Sequence, residues 1–355
     1  MRVLVASWTA PYLFRYGGMS TFTEGVVEAM LDKGYEVIVL SMSPIGLDGC
    51  TRIEGRPGLS VCNIPVLDLS QKGIDAAQPA LLSSLKYLVN GVDYVLLNDY
   101  HFALGAMIAY RMGVPTILYV HSFAASPHEL AGILYSDAVL TNSRMQLEKA
   151  VKPVAGLTRL FSGWSGRAEP RLGVVYPAPP CRKPVSLTRP QIPGNSAAKI
   201  GVLARNQENK NVEGFVKAVE ILVSRGIGVT GLVAGHGWRR GWLSRHVYSL
   251  GELGEDEKWG YLASLDLYVH PATYEPFGLA PLEAVCAGTP AIVSGRSGVS
   301  EVLPGIVFEP ESPERIADAI EEALAARSEL LEKQRSSNIM KRTWARVLEE
   351  IEGYV

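Results

Sequence analysis

No run of 18 or more apolar residues occurs in the 355-residue sequence. The nearest approach, residues 102–120, is broken by Arg111 and Pro115, so no segment is expected to cross a bilayer as a helix. Met1-Arg2-Val3-Leu4-Val5-Ala6 is too short for a secretory leader, and no cleavage site follows; it reads as a buried strand. Cysteine is scarce. Cys50, Cys62, Cys181 and Cys286 make no Cys-x-x-Cys pair and no zinc-finger spacing, so buried free thiols in a reducing compartment are expected. Net charge is nearly absent as well. Thirty-four Lys and Arg against 36 Asp and Glu leave −2, which gives no overall attraction to nucleic acid or to an anionic membrane. Internal repeats of solenoid period are lacking. These absences point to a cytoplasmic globular protein, at most peripheral at the inner face of a membrane.

What is present fits that class. The composition, 47% hydrophobic and 20% charged, is that of a folded chain rather than a disordered one. The length suits two domains of roughly 150–180 residues. The first half alternates short apolar runs with helical patterns. Strands are expected at Val3–Ser7, Glu36–Ser41, Tyr94–Asn98, Thr116–His121 and Ala138–Asn142, and helices at Ser20–Lys33 and His101–Met112. Buried β runs separated by helices imply a parallel sheet covered on both faces, a doubly wound α/β domain.

Between Tyr176 and Gly194 the character changes. Pro177, Pro179, Pro180, Pro184, Pro190 and Pro193 exclude both helix and central strand, which marks an interdomain linker. A second α/β series follows. Strands are expected at Lys199–Ala204, Gly231–Ala234, Leu265–Val269 and Pro290–Ser294. Val212, Phe215, Val219, Leu222 and Val223 line one helix face, which Gly226 closes. Ser312-Pro313-Glu314 is a helix start, and a charged helical stretch runs to about Glu352 with a break near Ser336. The expected division is residues 1–176, a linker at 177–195, a second domain at 196–335, and a C-terminal helix in 336–355 packing back on the first domain.

The densest chemistry lies at His270-Pro271-Ala272-Thr273-Tyr274-Glu275-Pro276-Phe277-Gly278-Leu279-Ala280-Pro281-Leu282-Glu283. A strand runs into a loop there, and a helix is expected to open near Phe277–Leu279, whose free N–H groups suit an anion. Glu275 precedes that start, and Glu283 lies eight residues on, about two turns along the same face. Upstream, Arg205 follows a strand and Lys210 sits at a helix start, a pair of cations suited to a diphosphate. Each feature alone reads as well as exposed side chains. Together they resemble the retaining glycosyltransferases of family four, with their glycogen-synthase and sucrose-phosphate-synthase relatives. Glu275, seven intervening residues and Glu283 match that family's paired glutamates, as do the flanking Glu-Pro-Phe-Gly-Leu and Ala-Gly-Thr-Pro stretches.

The resemblance implies a GT-B type fold, two Rossmann-like doubly wound parallel-sheet domains facing across a cleft. It implies a nucleoside diphosphate sugar as donor and no further cofactor. Arg205 and Lys210 would grip the diphosphate with the N–H groups of Phe277, Gly278 and Leu279. Glu275 would hold the transferred sugar and Glu283 the ribose. Gly251 and Leu253 would lie beside the base, Gly17 and Gly18 would face the diphosphate, and His121 would stand near the reacting carbon. Gly17-Gly18 is not a dinucleotide fingerprint, since Gly-x-Gly-x-x-Gly is lacking. Gly235-His236-Gly237 resembles the family's Gly-x-Gly turn, although a simple tight turn reads equally well. No Asp-x-Asp motif occurs, so protein cations would replace a metal. Tyr176-Pro177-Ala178 stands where many relatives have Asn-Gly, which puts the hinge in doubt. Residues 144–189 carry nine basic residues against Glu148 and Glu169, a local charge of +7; this stretch could meet an anionic acceptor or a membrane, with a solvated face as the plain alternative. The acceptor, whether sugar, glycan or lipid, is not specified, and no nucleic-acid partner is expected. Rival readings are a nucleotide-sugar epimerase of the same architecture, which needs no acceptor, and a non-enzymatic nucleotide-sugar binding protein.

Overall fold

A computed structural model describes residues 1–13, 17–43, 49–66, 71–122, 127–157, 168–181, 188, 190 and 198–355, except the side chains of 71–75 and 127–129. The chain divides into two compact units, Met1–Ala178 with Thr343–Val355, and Pro179–Arg342. Pro184 and Pro193, with Arg182, Lys183 and Arg189, lie outside the described residues, as do Arg159, Phe161, Trp164 and Arg167 of the basic stretch.

The first unit holds strands β1 (Arg2–Ser7), β2 (Glu36–Ser43), β3 (Cys50–Arg52), β4 (Leu59–Pro65), β5 (Tyr94–Asn98), β6 (Thr116–Val120), β7 (Ala138–Thr141) and β8 (Arg171–Val174). They form one sheet in the order β3-β4-β2-β1-β5-β6-β7-β8, parallel except for β3 against β4. Its described helices are α1 (Gly17–Asp32), α2 (Gln71–Leu88), α3 (Gly105–Arg111), α4 (Pro127–Tyr135) and the short α5 (Arg144–Gln146), which continues as a π-helical turn. Strand β1 shows why the strands are apolar throughout. Val3 and Val5 pack with Phe22, Val26 and Met30 of α1, while Leu4 and Ala6 pack on the other face with Leu81 and Leu85 of α2. Successive side chains serve opposite faces, and both faces are covered.

The second unit repeats the plan with β9 (Ala198–Leu203), β10 (Val229–Ala234), β11 (Gly241–Trp242), β12 (Val247–Gly251), β13 (Leu267–His270), β14 (Ala291–Ser294) and β15 (Val307–Phe308). The order is β11-β12-β10-β9-β13-β14-β15, parallel except for β11 against β12. Helices α6 (Val212–Ser224), α7 (Glu255–Leu262), α8 (Ala280–Ala287), α9 (Pro313–Ala325) and α10 (Arg327–Arg335) flank it. Phe215, Val219 and Leu222 of α6 meet Ile316 and Ile320 of α9 over one face. In both sheets the strand order reverses beside the first strand, between β1 and β5 and between β9 and β13. The carboxyl ends of those strands therefore face a crevice where doubly wound folds bind ligands.

The last helix, α11 (Trp344–Glu352), belongs to the first unit. Thr343 caps it by accepting the Arg346 N–H at 3.2 Å. Val347, Leu348 and Ile351 are fully buried beside α1, each worth roughly 1.5–3 kcal/mol of transfer free energy. Lys33 adds an ion pair to Glu352 at 2.7 Å.

Three expectations change. The helix expected over His101–Met112 is a 3-10 turn at Tyr100–Phe102 followed by α3. Helix α1 starts at Gly17, three residues before the expected Ser20, so Gly17 and Gly18 form its first turn rather than a preceding loop. All four cysteines are paired. Cys50 and Cys62 face each other across β3 and β4, and Cys181 joins Cys286 of α8, 105 residues away. Neither pairing follows a recognisable spacing, because the fold rather than the sequence interval brings the partners together. The thiol-based argument for a reducing compartment therefore lapses. No helix among the described residues is long and apolar enough to cross a membrane.

The packing of α11 on α1 has a direct test. A Cβ on Gly25 would lie 2.2 Å from the Trp344 ring, whereas one on helical Gly156 would meet nothing within 4 Å. Gly25→Ala should lower stability by about 2 kcal/mol by overpacking, despite alanine's better helix propensity. Gly156→Ala should be neutral or stabilising by up to about 1 kcal/mol. Urea denaturation of both variants checks the opposite signs.

Candidate active site

In the second unit the site is built on the carboxyl ends of β9 and β13. The chain leaves β9 through Ala204 and Arg205 and makes a 3-10 turn, Glu208–Lys210. Asn211, at φ 50°, then caps α6 by accepting the Gly214 N–H at 3.2 Å. Its side-chain amide donates to the carbonyls of Pro271 and Pro310 at 3.2 and 2.7 Å. Asn209 donates to the Tyr274 carbonyl at 3.0 Å, and the Thr273 N–H donates to Asn209 at 2.9 Å. Three of these bonds stitch the Arg205–Asn211 loop to the loop after β13, and a fourth ties it to Pro310 after β15.

That stitching brings Lys210 onto Glu275, and the ammonium donates to the carboxylate. Burial works against the charge of Glu275, yet Lys210, His270 and Arg205 together hold its carboxyl below the usual range. His270 ends β13 with Nε2 3.6 Å from Glu275 and no hydrogen-bond partner for that nitrogen among the described residues. Burial pulls the His270 imidazole down to about 4, with Glu275 opposing and Lys210 assisting. Gly278, at φ 94°, closes over this group. A Cβ there would come within 3.0 Å of His270 Nε2 and 3.2 Å of Glu275 Cγ. Only glycine fits both the torsion and the space.

Helix α8 begins at Ala280, later than the expected opening near Phe277–Leu279, because Pro281 fixes the first turn. Phe277 is buried and its carbonyl accepts from Val299, so residues 275–277 run beside Arg296–Val299 like a short strand. The N–H groups of Gly278 and Leu279 take no backbone acceptor among the described residues and remain candidates for an anion.

Glu283 is buried in α8 and accepts from Lys258 of α7 at 3.0 Å. Lys258 pairs with Glu255 as well, at 2.8 Å. Burial opposes the Lys258 charge, but the two carboxylates more than offset it and push its ammonium up. Sequence reasoning missed Lys258, since its separation of 25 positions from Glu283 follows no helical period. The Tyr268 hydroxyl, raised by burial, feels both Glu283 and Glu275 and donates to the Leu203 carbonyl at 3.3 Å. Gly251 ends β12 and Leu253 lies two residues beyond it, but among the described residues no hydrogen bond links them to the Glu275 group. Gly235 is explained by packing, because a Cβ there would lie 2.2 Å from the Ala204 carbonyl.

Residues 189–341 match the family described as glycosyl transferases group 1. They form a group 1 glycosyltransferase domain. Across 91% of this chain and 86% of that protein, the sequence is 25% identical to a glycogen synthase of Mycobacterium tuberculosis. The fold is similar to sucrose-phosphate synthase from Thermosynechococcus elongatus, with a TM-score of 0.72 and 16% identity over 99% and 97% of the two chains. It is also similar to the catalytic domain of starch synthase IV from Arabidopsis thaliana bound to ADP and acarbose, with a TM-score of 0.75 and 13% identity over 99% and 98%. The architecture is thus that of GT-B glycosyltransferases.

The first unit of this glycosyltransferase carries its own group on the equivalent edge. His121 follows β6, one residue past the strand end. Its Nε2 lies 2.6 Å from Asn98 Oδ1 at the end of β5, and Phe22 of α1 packs edge-on at 4.7 Å. Burial lowers the imidazole to about 4, against the pull of Asp99. Gly17 and Gly18 are exposed at the start of α1. Asp99, buried at φ 120°, accepts from the Ser122 hydroxyl at 3.3 Å. That torsion is strained for a residue other than glycine. Asn98 ends an expected strand and Asp99 directly follows it, and that was the available signal.

Two histidines held neutral give a pH prediction. Above about pH 6.5 both are neutral in the folded and unfolded chain alike. As pH falls toward 4, the unfolded chain binds protons that the folded chain refuses, so stability declines by up to about 3 kcal/mol per histidine. Urea midpoints at pH 7.5, 5.5 and 4.5 should fall steadily; a flat profile down to 4.5 would contradict the burial of both rings.

Proposed function

We propose that this glycosyltransferase moves a sugar from a nucleoside diphosphate sugar to an acceptor hydroxyl, with retention at the anomeric carbon and without a metal ion. The observation that carries the reading is the joining of Arg205, Lys210 and Glu275 at one strand-order reversal, beside the Gly278 and Leu279 N–H groups. Cations and amides suit the departing diphosphate, and fixed charge at a leaving group is typically the largest catalytic contribution. In the reaction the bond from the anomeric carbon to the diphosphate breaks and a bond to the acceptor oxygen forms. The acceptor hydroxyl releases its proton as the diphosphate leaves.

The remaining roles are those that the family resemblance implies. Glu275 holds the transferred sugar, Glu283 the ribose, and Gly251 and Leu253 flank the base. Gly17 and Gly18 allow close approach of the diphosphate to the first unit, and neutral His121 stands near the reacting carbon. Before the donor arrives, Lys210 is occupied by Glu275, so donor binding exchanges one anion for another on the same ammonium. The lack of an Asp-x-Asp motif supports the metal-free reading. Exposed Arg144, Lys149 and Lys152 support an anionic acceptor or lipid surface along the basic stretch.

Arg205→Ala and Lys210→Ala should each lower kcat by on the order of 10²–10³, the scale of one lost electrostatic donor. Chelation with EDTA should leave the wild-type rate unchanged. Normal rates in both variants, or loss of activity restored by Mg²⁺ or Mn²⁺, would overturn the mechanism. Omitting acceptor separates transfer from epimerisation, since an epimerase would still convert the donor.

The glutamates should fail differently. Glu283→Gln weakens free nucleoside diphosphate by about ten- to a hundredfold, the size of a charged hydrogen bond. Glu275→Gln lowers kcat while diphosphate affinity holds or rises, because Lys210 is released. Calorimetry with the free diphosphate distinguishes them; equal losses would mean that the roles are misassigned.

A further inference from the structure

The hydrogen bonds behind His121 constrain which way round the Asn98 amide stands. Ser7 at the end of β1, Thr23 of α1 and Asn98 at the end of β5 are all buried. Thr23 Oγ1 donates to the Met19 carbonyl at 2.9 Å, which spends its single proton. The oxygen can then only accept from its other two neighbours, Ser7 Oγ at 2.9 Å and Asn98 at 2.7 Å. The Asn98 group facing Thr23 must therefore be the amide nitrogen. That nitrogen also lies 3.3 Å from Ser7 Oγ, so both of its protons are used. Turning the amide over would set its oxygen against Thr23 Oγ1 with no proton between them. Asn98 Oδ1 consequently faces His121 Nε2 at 2.6 Å, where an oxygen acceptor requires an N–H.

We infer that Thr23, acting through Asn98, fixes His121 as the tautomer with its proton on Nε2 and leaves Nδ1 as a bare acceptor. Among the described residues no hydrogen bond occupies Nδ1. A ligand group meeting that nitrogen must donate, which selects a sugar hydroxyl over a carboxylate or phosphate oxygen. Thr23 and Asn98 are then positioning residues, acting on the ligand only through His121. They also couple its proton to α1, the helix that Gly17 and Gly18 open. The effect on sugar transfer rests on the function proposed above; the tautomer itself does not.

Histidine-selective ¹⁵N labelling tests the assignment on the whole chain, with the His121 signals identified among six histidines by their loss in His121→Gln. At pH 7 the long-range ¹H–¹⁵N spectrum should show the Nε2–H form in about tenfold excess, the worth of one hydrogen bond. Thr23→Val and Asn98→Ala should bring the two tautomers toward parity and lower kcat several-fold. Thr23→Ser, which keeps the hydroxyl, should restore both relative to Thr23→Val. A purely structural role would lower the melting temperature without moving the tautomer. An Nδ1–H or doubly protonated His121 in the wild type, or unchanged tautomers in Thr23→Val and Asn98→Ala, overturns the inference. Should those two variants not fold, the wild-type spectrum and Thr23→Ser decide it. The expected tautomer in a protein that transfers no sugar would uphold this inference and sink the proposed reaction.

Discussion

Both sheets change direction beside their first strand, and the positions of Asn98, Arg205, His270 and Glu275 depend on that reversal. The reversal falls between β1 and β5 in one sheet and between β9 and β13 in the other, and ligands of doubly wound folds bind at the carboxyl ends of such strands. Ser7 and Asn98 stand at that point in the first unit. Leu203 with Arg205, and His270 with Glu275, stand at it in the second. The strands are mostly apolar on both faces, so the charged side chains of the candidate site appear where the strands run out of sheet. The chemistry is concentrated at the edge by the same burial that forms the core.

At that edge the charges are held in reserve rather than free. Glu275 sits between Lys210 and His270, and Glu283 is tied to Lys258. A buried carboxylate without such a partner would be costly, and the pairing keeps each one ionised and oriented until a ligand replaces the partner. Gly278 completes the arrangement sterically, because any side chain there would strike both His270 and Glu275. Cys286 ties α8, the helix of Glu283, to Cys181 near the start of the second unit.

Much of this architecture was legible in sequence. Short continuous apolar runs such as Tyr94–Asn98 read as strands buried on both faces, and the period of Val212, Phe215, Val219 and Leu222 reads as a helix with one buried stripe. The missed elements break those patterns. Strand β4 carries Asn63 among its apolar residues to bind Ser41 and Ser43, and α2 contains Pro79. Arg205, Lys210, Glu275 and Glu283 were legible as a set because their intervals along the chain are characteristic. Lys258, the disulfides and the Ser7–Thr23–Asn98–His121 network were not. Their members come from separate elements, and only the folded sheet sets their spacing.

The central claim is that the second unit is built around a nucleoside diphosphate. Thermal unfolding of the wild-type chain with UDP, GDP and ADP, each titrated to saturation, tests it most directly. A ligand at 100 times its dissociation constant adds about 2.7 kcal/mol, enough to raise the melting temperature by several degrees. The account predicts such a rise for at least one of the three, and a smaller rise at the same ligand concentration when Glu283 is replaced by Gln. No rise with any nucleoside diphosphate would contradict it.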